Sequence, residues 1–275
     1  MTAFDLSTNA KFALTGEDRI RFLNGQVTND VKSASSALAL PACVTNAKGK
    51  LDALVQITVS PAADALWLDT HEALRENLFT RLDRYIIADD CELADVTADF
   101  HLWHVCGDAP PEVEAAICAK SRRFGVDGWD VWSKNPPAWN AADPALADRL
   151  RLENLVPAWN AEATPDYFPA DLGLDHTAVD FHKGCYIGQE IISRMKMSGK
   201  SNWILASLSL ESAPNPGTSV FLEGEAEKEI GKITTVSKSD ALAIMRRSKA
   251  TPGTKILAQD SEKPLSIRGE ITKTV

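Results

Sequence analysis

The chain changes character after Lys200, and this change constrains its fold more than any other feature of the sequence. Residues 201–275 contain short apolar or alternating runs, separated by Pro-Asn-Pro-Gly and Thr-Pro-Gly turns. This pattern is typical of a small antiparallel barrel or sandwich. The runs lie at 203–210, 219–222, 231–236 and 267–271. We therefore predict a C-terminal β-barrel over residues 201–275 and a separate region over residues 1–200.

Residues 1–200 alternate strand and helix patterns and therefore predict an α+β fold. In residues 71–85 leucine recurs at every fourth position, which is typical of an amphipathic helix packed by one face. Asp143 is a good helix N-cap with proline after it. A capping-box pattern opens a helix after residue 18, and Gly25 is placed to end it. The other expected elements are strands at 51–59, 100–105 and 129–132, and a helix at 112–120.

Composition and charge exclude several classes of protein. The 275 residues are 44% hydrophobic and 24% charged, which is ordinary for a globular chain of two or three subdomains. No apolar run approaches the roughly 20 residues that span a bilayer, and the N-terminus lacks the features of a secretion signal. We therefore expect a cytoplasmic protein without a membrane partner. The formal net charge of −9 disfavours direct nucleic-acid binding, which requires a basic face.

Cysteine usage indicates one unusual thiol. The chain has five cysteines, and no pair has the C-x-x-C spacing of a zinc or redox site. In a reducing compartment a cysteine is usually a small buried hydrophobe, and we expect this of Cys43, Cys91, Cys106 and Cys118. Cys185 differs because it lies in the glycine-rich stretch Lys-Gly-Cys-Tyr-Ile-Gly-Gln-Glu, residues 183–190.

This stretch has the composition of a functional loop. Two glycines frame the cysteine and let the backbone turn sharply. Lys183 precedes the thiol by two residues, and a helix expected from Gly188 places Cys185 near a helix N-terminus; both features favour thiolate. Residues 183–200 carry a net charge of +3, which suits an anionic ligand or an acidic partner. A cysteine buried in a glycine turn, with a purely structural role, accounts for the same composition.

Residues 183–190, continuing to Arg194, resemble the signature of the YgfZ family, whose mitochondrial counterparts are iron–sulfur cluster assembly factors. Residues 22–30 and 46–50 resemble two further blocks of that family. Residues 151–157 resemble an Arg-x-Glu-x-Gly-x-Pro block, although Leu155 stands where glycine is usual. The resemblance covers about residues 12 to 200.

The family resembles the folate-binding aminomethyltransferase of the glycine cleavage system. The resemblance implies an α+β fold of two interleaved α/β-sandwich subdomains, a C-terminal antiparallel β-barrel and a bound tetrahydrofolate or derivative. Cys185 is the implied catalytic residue, and a metal ligand only together with a ligand from a partner. Glu153 matches a glutamate that grips the pterin edge. The expected folate-binding residues are Asn29, Lys50, Glu153, Lys183, Gly184, Tyr186, Gly188, Gln189, Glu190 and Arg194.

One departure from the aminomethyltransferase pattern bears on the chemistry. That pattern is Gly-Gly-x-x-Asp-Asp, and here Ala53 and Leu54 occupy the two acidic positions. Asp52 comes one position early, so it points to the other side of a strand. The obvious acid/base carboxylate for aminomethyl transfer is therefore missing.

Three hypotheses for function follow. The first is a folate-binding accessory factor for iron–sulfur enzymes that acts through Cys185. Its partners would be assembly or client proteins, and any iron–sulfur cluster that it holds would be transient and shared with a partner. The second is a folate-dependent aminomethyl or one-carbon transferase. The third is a non-catalytic docking module. Whether the chain is an enzyme stays open, but a classical aminomethyltransferase is not expected.

Overall fold

The computed structural model describes residues 1–199, 201–225, 227–259 and 266–275. The strands among these residues are β1 (Thr2–Asp5), β2 (Ala10–Thr15), β3 (Leu40–Thr45), β4 (Leu51–Val59), β5 (Leu66–Thr70), β6 (Glu92–Asp95), β7 (His101–Cys106), β8 (Ile117–Ser121), β9 (Gly128–Ser133), β10 (Trp203–Leu210), β11 (Ser219–Leu222), β12 (Gly231–Ser237), β13 (Asp240–Arg246), β14 (Lys255–Gln259) and β15 (Ser266–Thr274). The α-helices are α1 (Arg19–Gln26), α2 (Arg75–Asp83), α3 (Pro144–Asn154) and α4 (Gln189–Ser198). Short 3-10 helices lie at Val31–Ser33, Glu72–Leu74, Pro169–Asp171, Leu174–His176 and Arg247–Lys249.

Two antiparallel sheets are interleaved along the first part of the chain. One has the strand order β1-β7-β9-β8, and the other has the order β3-β4-β5-β2-β6. The chain therefore starts in the four-stranded sheet, builds the five-stranded sheet, and returns. α1 and α2 bury Leu23 and Leu82 in the core of the five-stranded sheet. The interleaved α+β fold predicted from the sequence is confirmed.

The C-terminal strands close into an antiparallel barrel with the order β10-β13-β12-β11-β14-β15. This confirms the predicted β-barrel, but the sequence pattern misses β13 and β14. In β13 five consecutive residues are buried. Ala243 faces the barrel core, whereas Leu242 and Ile244 pack into the core of the preceding region. A strand buried on both faces shows no alternation of polar and apolar residues, so its periodicity does not reveal it.

Two other local predictions are wrong. Residues 112–120 form no helix; β8 occupies their end and pairs with β9. Ile117 and Ala119 lie buried on one face of that strand, and sheet pairing overrides the helical preference of the alanines and glutamates. Gly25 does not end α1, which runs to Gln26 and stops where Val27 becomes extended. The predicted strands at 51–59, 100–105 and 129–132 and the helix N-cap at Asp143 are confirmed.

A buried charge network joins the two sheets. Arg123 donates through Nε to Asp130 Oδ1 of β9 at 2.8 Å and through Nη1 to Asp69 Oδ1 of β5 at 2.9 Å. His104 Nδ1 of β7 lies 2.8 Å from the same Asp130 oxygen. Burial opposes the charge on Asp130, but Arg123 and His104 hold the pKa of its carboxyl below the usual range. The network fixes how the sheets pack on each other, since a buried charge without its partner is costly.

A second buried pair fixes the barrel against the first region. Arg151 of α3 donates through Nη1 to Glu162 Oε2 at 3.0 Å. Thr234 and Thr235 of β12 donate to the other oxygen of Glu162 at 2.7 and 2.6 Å. Glu162 is fully buried, so these bonds replace the water that its carboxylate would otherwise need.

Candidate thiol site

The three stretches that carry the strongest sequence motifs lie together in the structure. They are residues 24–30 at the end of α1, residues 45–50 in the turn between β3 and β4, and residues 178–190 leading into α4. The stretches are distant in sequence, so their meeting is a property of the fold. The contacts between them define the candidate site.

Threonine hydroxyls tie these stretches to each other. Thr28 Oγ1 donates to Ala178 O at 2.6 Å and accepts from the Cys43 amide at 2.9 Å. The amide of Asp180 donates to Thr28 O at 3.0 Å. Thr45 Oγ1 donates to Ile187 O at 2.6 Å. The sequence motifs do not reveal the role of these two hydroxyls, although Thr28 lies inside a motif and Thr45 directly precedes one.

Two glycines allow the closest approach of these stretches. Gly188 has a φ of +87°, and a Cβ there would lie 2.5 Å from the carbonyl oxygen of Asn46. Gly49 has a φ of +75°, and a Cβ there would lie 3.1 Å from Ile191 Cβ. Glycine is therefore required at Gly188 by both conformation and space. Residues 46–50, which carry one of the family-like motifs, form the turn between β3 and β4.

Cys185 is presented to solvent by this scaffold. It is the exposed cysteine of the five, and next to it a Cβ on Gly184 would meet no atom within 4 Å. The cysteine is thus not the buried core residue that its composition also allowed. Of the other four, burial raises the pKa of the Cys43 thiol to about 12. Burial also raises the pKa values of the partly buried thiols of Cys91, Cys106 and Cys118.

Lys183 is turned inward. Its Nζ donates to the carbonyl oxygens of Asn24, Val27 and Asn29 at 2.7, 2.8 and 2.7 Å. Burial lowers the pKa of Lys183 to about 8, although Asp30 and Asp180 favour the charged form. An ammonium group has three N–H donors. All three donors are used inside the fold, and the predicted roles of Lys183 as a folate ligand and as a neighbour that favours the thiolate stay predictions.

Tyr186 belongs to a small core beneath the loop. Its side chain is 7% exposed and packs with Val179 and Ile192. Its hydroxyl is buried and, among the described residues, has no hydrogen-bond partner. Burial raises the pKa of Tyr186 to about 12, so the hydroxyl is protonated at neutral pH. A buried donor of this kind is available to a bound ligand or water.

The predicted helix after Gly188 is confirmed as α4, and two cations of the predicted basic patch have partners on the protein. Arg194 Nη2 donates to Glu190 Oε1 at 2.6 Å, and both side chains are exposed. Lys196 Nζ lies 3.6 Å from the ring centroid of Phe181. Gln189 contacts the loop through its backbone N–H, which donates to Tyr186 O at 3.2 Å. Lys200, which belongs to the predicted basic patch, lies outside the described residues.

An open polar groove of about 410 Å³ borders the site. Asn29 lines it, and its Nδ2 donates to Pro41 O at 2.8 Å. The other lining residues are Asp175, His176, Thr177, Val179, Asp180, Phe181, His182 and Lys196. Lys50 faces a different segment, because its Nζ donates to Asp166 O at 2.9 Å.

Glu153 stands apart from this cluster. It lies on the exposed side of α3, where its Oε1 accepts from Arg149 Nε at 2.7 Å. Lys273 of the barrel donates to its backbone oxygen at 3.2 Å. No contact described in the structure joins Glu153 to Cys185. Its role as a folate ligand stays a prediction.

Ala53 and Asp52 lie on opposite faces of β4, as the sequence predicts. Ala53 is fully buried on β4, whereas Asp52 is partly exposed on the opposite face. Asp52 Oδ2 lies 3.5 Å from Arg81 Nε, and its Oδ1 accepts from Asn46 Nδ2 at 3.4 Å. The carboxylate thus serves an ion pair at the 45–50 turn.

Comparisons with known proteins agree with this architecture. Residues 205–272 match the family model described as CAF17, C-terminal beta-barrel domain. The glycine cleavage system aminomethyltransferase T from Bartonella henselae superposes with a TM-score of 0.81 at 15% sequence identity, covering 99% of this chain and 85% of that chain. The fold is therefore that of an aminomethyltransferase-like protein.

Two proteins of similar sequence indicate which kind of aminomethyltransferase-like protein this chain resembles. The chain is 27% identical over 228 residues to an iron-sulfur cluster assembly factor IBA57 homolog, mitochondrial, from Mycosarcoma maydis, covering 74% of this chain and 56% of that protein. It is 24% identical over 270 residues to the tRNA-modifying protein YgfZ from Escherichia coli O7:K1, covering 86% of this chain and 82% of that protein. These matches confirm the resemblance of this chain to YgfZ-family proteins and to their mitochondrial counterparts.

No helix within the described ranges is long and apolar enough to cross a membrane. In the same ranges no group of three or more His, Cys, Asp or Glu side chains is arranged to hold a metal ion.

Proposed function

We propose that the chain is a folate-binding accessory factor for the assembly or maintenance of iron–sulfur enzymes, and that it acts in the cytoplasm through the thiol of Cys185. The observation that carries the proposal is the presentation of Cys185. A loop held by contacts to two distant motifs exposes this thiol, whereas burial suppresses thiolate formation at the other four cysteines.

A thiol is the side chain that iron–sulfur chemistry requires of its protein ligands. One cysteine cannot hold a cluster alone, so any ligation by Cys185 is shared with an assembly partner, a client protein or a small thiol. The cluster is then cargo that passes through the site.

The residues present are compatible with folate. The pterin edge offers N–H groups to a carboxylate, and Glu153 is the exposed carboxylate in the motif that matches such a ligand. Its pair with Arg149 is an exposed pair of helix neighbours, a kind of contact that contributes little and yields to a stronger ligand. The buried hydroxyl of Tyr186, without a partner among the described residues, is a further donor beneath the loop. Bound folate would supply a one-carbon carrier, and these residues would orient it.

The test is rescue of a strain that lacks its own factor and has low iron–sulfur enzyme activity. Cys185→Ser is expected to accumulate as folded protein and fail to restore that activity. Cys118→Ser is the matched control, since Cys118 is partly buried and lies on β8, outside the 183–190 stretch, and it is expected to rescue fully. Full rescue by Cys185→Ser would contradict the proposal.

The alternative of an aminomethyl transferase is less well supported. Ala53 replaces the acidic residue, and Asp52 is engaged with Arg81 on the other face of β4. Tetrahydrofolate binding, followed by tryptophan fluorescence, without transfer of a one-carbon unit separates the accessory factor from the transferase. The docking-module alternative instead requires a partner complex that forms equally well with Cys185→Ala.

One relative carries the name tRNA-modifying protein. The net charge of −9 disfavours direct binding of this chain to tRNA. We therefore propose that any effect of this chain on tRNA is indirect and arises through an iron–sulfur enzyme that the factor supports. A salt-dependent shift of tRNA mobility by the purified protein would contradict this part of the proposal.

A further inference from the structure

The ammonium group of Lys183 lies in a cage of backbone carbonyl oxygens. The three carbonyls that accept its hydrogen bonds belong to Asn24, Val27 and Asn29. They use all of its N–H donors. The ring of Tyr186 completes the cage, with its centroid 5.2 Å from Nζ, which is within the range of a cation–π contact.

The cage stands at the end of α1. The last carbonyls of a helix have no partner within it, and a cation there also interacts favourably with the helix dipole. Asn24 lies in the last turn of α1, and Val27 and Asn29 follow its end. Lys183 therefore caps α1 from a segment more than 150 residues away in sequence.

The loop that carries the thiol is fixed at both of its ends. Lys183 anchors its start. At its other end Ile187 donates to Gly25 O at 3.3 Å and accepts from Thr45 Oγ1 at 2.6 Å. Between these anchors Gly184 and Cys185 are exposed.

We propose that Lys183 is a positioning residue, whose ammonium group acts as an internal cation that locks the Cys185 loop, residues 183–188, onto the end of α1. The consequence for activity rests on the proposed function of Cys185, whereas the lock itself is a property of the loop. Arginine does not substitute, because its planar fork cannot direct three N–H groups at converging carbonyls. Methionine keeps the length of the stem and removes the donors.

Amide hydrogen exchange of the purified full chain tests the lock. In Lys183→Met we expect exchange in residues 183–188 and 24–30 to increase at least about tenfold, since several charge-assisted hydrogen bonds are lost. Exchange in β4 and β10 should not change. Lys196→Met is the matched control, because Lys196 is exposed and contacts Phe181; it should leave both segments unchanged. Unchanged exchange in Lys183→Met would overturn the proposal, and if that variant fails to fold, Lys183→Arg is measured with the same expectation.

Chemical rescue separates a cation lock from general loss of packing. Lys183→Ala leaves the three carbonyls facing an empty space of ammonium size. Ethylammonium chloride, which has three N–H donors, should slow exchange in residues 183–188 towards the wild-type rate. Tetramethylammonium chloride has the same charge but no N–H donor, and it should have no effect. Equal effects of the two salts would overturn the assignment of Lys183 as a hydrogen-bonding cation.

The lock and the proposed function fail in different ways. If Lys183→Met loosens the loop and Cys185→Ser still rescues iron–sulfur enzyme activity, the lock stands and the thiol function fails. If Cys185→Ser does not rescue and Lys183→Met leaves exchange unchanged, the thiol function stands and the lock fails. With both correct, Lys183→Met rescues no better than Cys185→Ser.

Discussion

At the scale of single residues, the site depends on polar atoms whose bonding capacity is nearly used up inside the fold. Thr28 is fully buried, and its hydroxyl both donates and accepts. Lys183 spends three donors on carbonyl oxygens. Tyr186 is the contrast, because its buried hydroxyl lacks a partner among the described residues. The groups that can meet a ligand include this hydroxyl, the exposed carboxylate of Glu153 and the thiol of Cys185.

The role of Glu153 can be measured by ligand affinity. Glu153→Ala should weaken tetrahydrofolate binding by about 1.5–3 kcal/mol, the range for a lost hydrogen bond to a charged group. The thermal unfolding curve should change little, since the side chain is exposed. Arg149→Ala is the control, because it frees the carboxylate and should leave affinity equal or higher. Unchanged affinity in folded Glu153→Ala would remove Glu153 from the folate site.

At the scale of elements, α3 shows why glycine is usual at one motif position. Leu155 is the C-cap of α3 and has left-handed dihedrals, φ 55° and ψ 40°. This conformation costs a non-glycine residue about 1–2 kcal/mol. Leu155 also packs against the main core, which offsets part of that cost. The chain thus keeps the left-handed cap without the residue that suits it best.

The strain at Leu155 predicts an unusual order of stability. Leu155→Gly should be more stable than Leu155→Ala by about 1 kcal/mol, because both lose the leucine contacts and only glycine relieves the left-handed backbone. Urea unfolding curves of the two variants measure this difference. At Arg149, in the exposed interior of α3, the same pair of substitutions should show the opposite order. Alanine equal to or better than glycine at position 155 would show that the cap is not strained.

The sequence predicts helices and strands well where one face of the element is buried. It predicts them poorly where both faces are buried, or where the element forms only because a distant strand pairs with it. The leucines of 74, 78 and 82 mark one buried face of the helical segment around α2, and β4 alternates along its first residues. β13 is buried on both faces and is missed. β8 forms because β9 is available to pair with it, which no local pattern contains.

In the candidate site, too, local motifs are predicted from the sequence and long-range contacts are not. Residues 183–190 are found from their motif, and the exposure of Cys185 agrees with the prediction of a functional loop. The direction of Lys183 could not be inferred, because its partners lie more than 150 residues away in sequence. The hydroxyl of Thr45 was missed for a similar reason, since its acceptor is Ile187.

At the scale of the whole molecule, the chain returns to its first sheet after building the second, so packing between the sheets must be specified by contacts that bridge them. Arg123 supplies this bridge through Asp69 and Asp130. Glu162 does the same between α3 and the barrel. Both are buried ionic groups whose partners come from different parts of the chain, a pattern that favours one relative placement of the packed layers.

Removal of one partner from the sheet bridge should be costly and pH-dependent. Asp130→Asn should lower the free energy of unfolding at pH 7 by about 3–5 kcal/mol, as expected when a buried pair loses one charge. The pKa of Asp130 is lowered in the folded state, so its contribution is present above the ordinary value of 3.8 and is lost as the pH falls through the lower folded value. The difference between wild type and variant should therefore shrink in acid.

Urea unfolding at a series of pH values measures this difference. Asp127→Asn is the matched control, because its pair with Arg122 is exposed and should contribute almost nothing. A difference between wild type and Asp130→Asn that stays constant into the acid range would show that the carboxylate is not the source of the stability.

We propose that the exposed thiol of Cys185 carries the activity of the whole molecule. The most direct measurement is stepwise alkylation of the purified protein with iodoacetamide near neutral pH. Mass spectrometry then quantifies each of the five cysteines, and each sample is assayed for reactivation of a purified apo iron–sulfur enzyme. We predict that Cys185 is modified first and that reactivation falls in proportion to its modification. Full reactivation by protein whose Cys185 is completely alkylated would contradict the account.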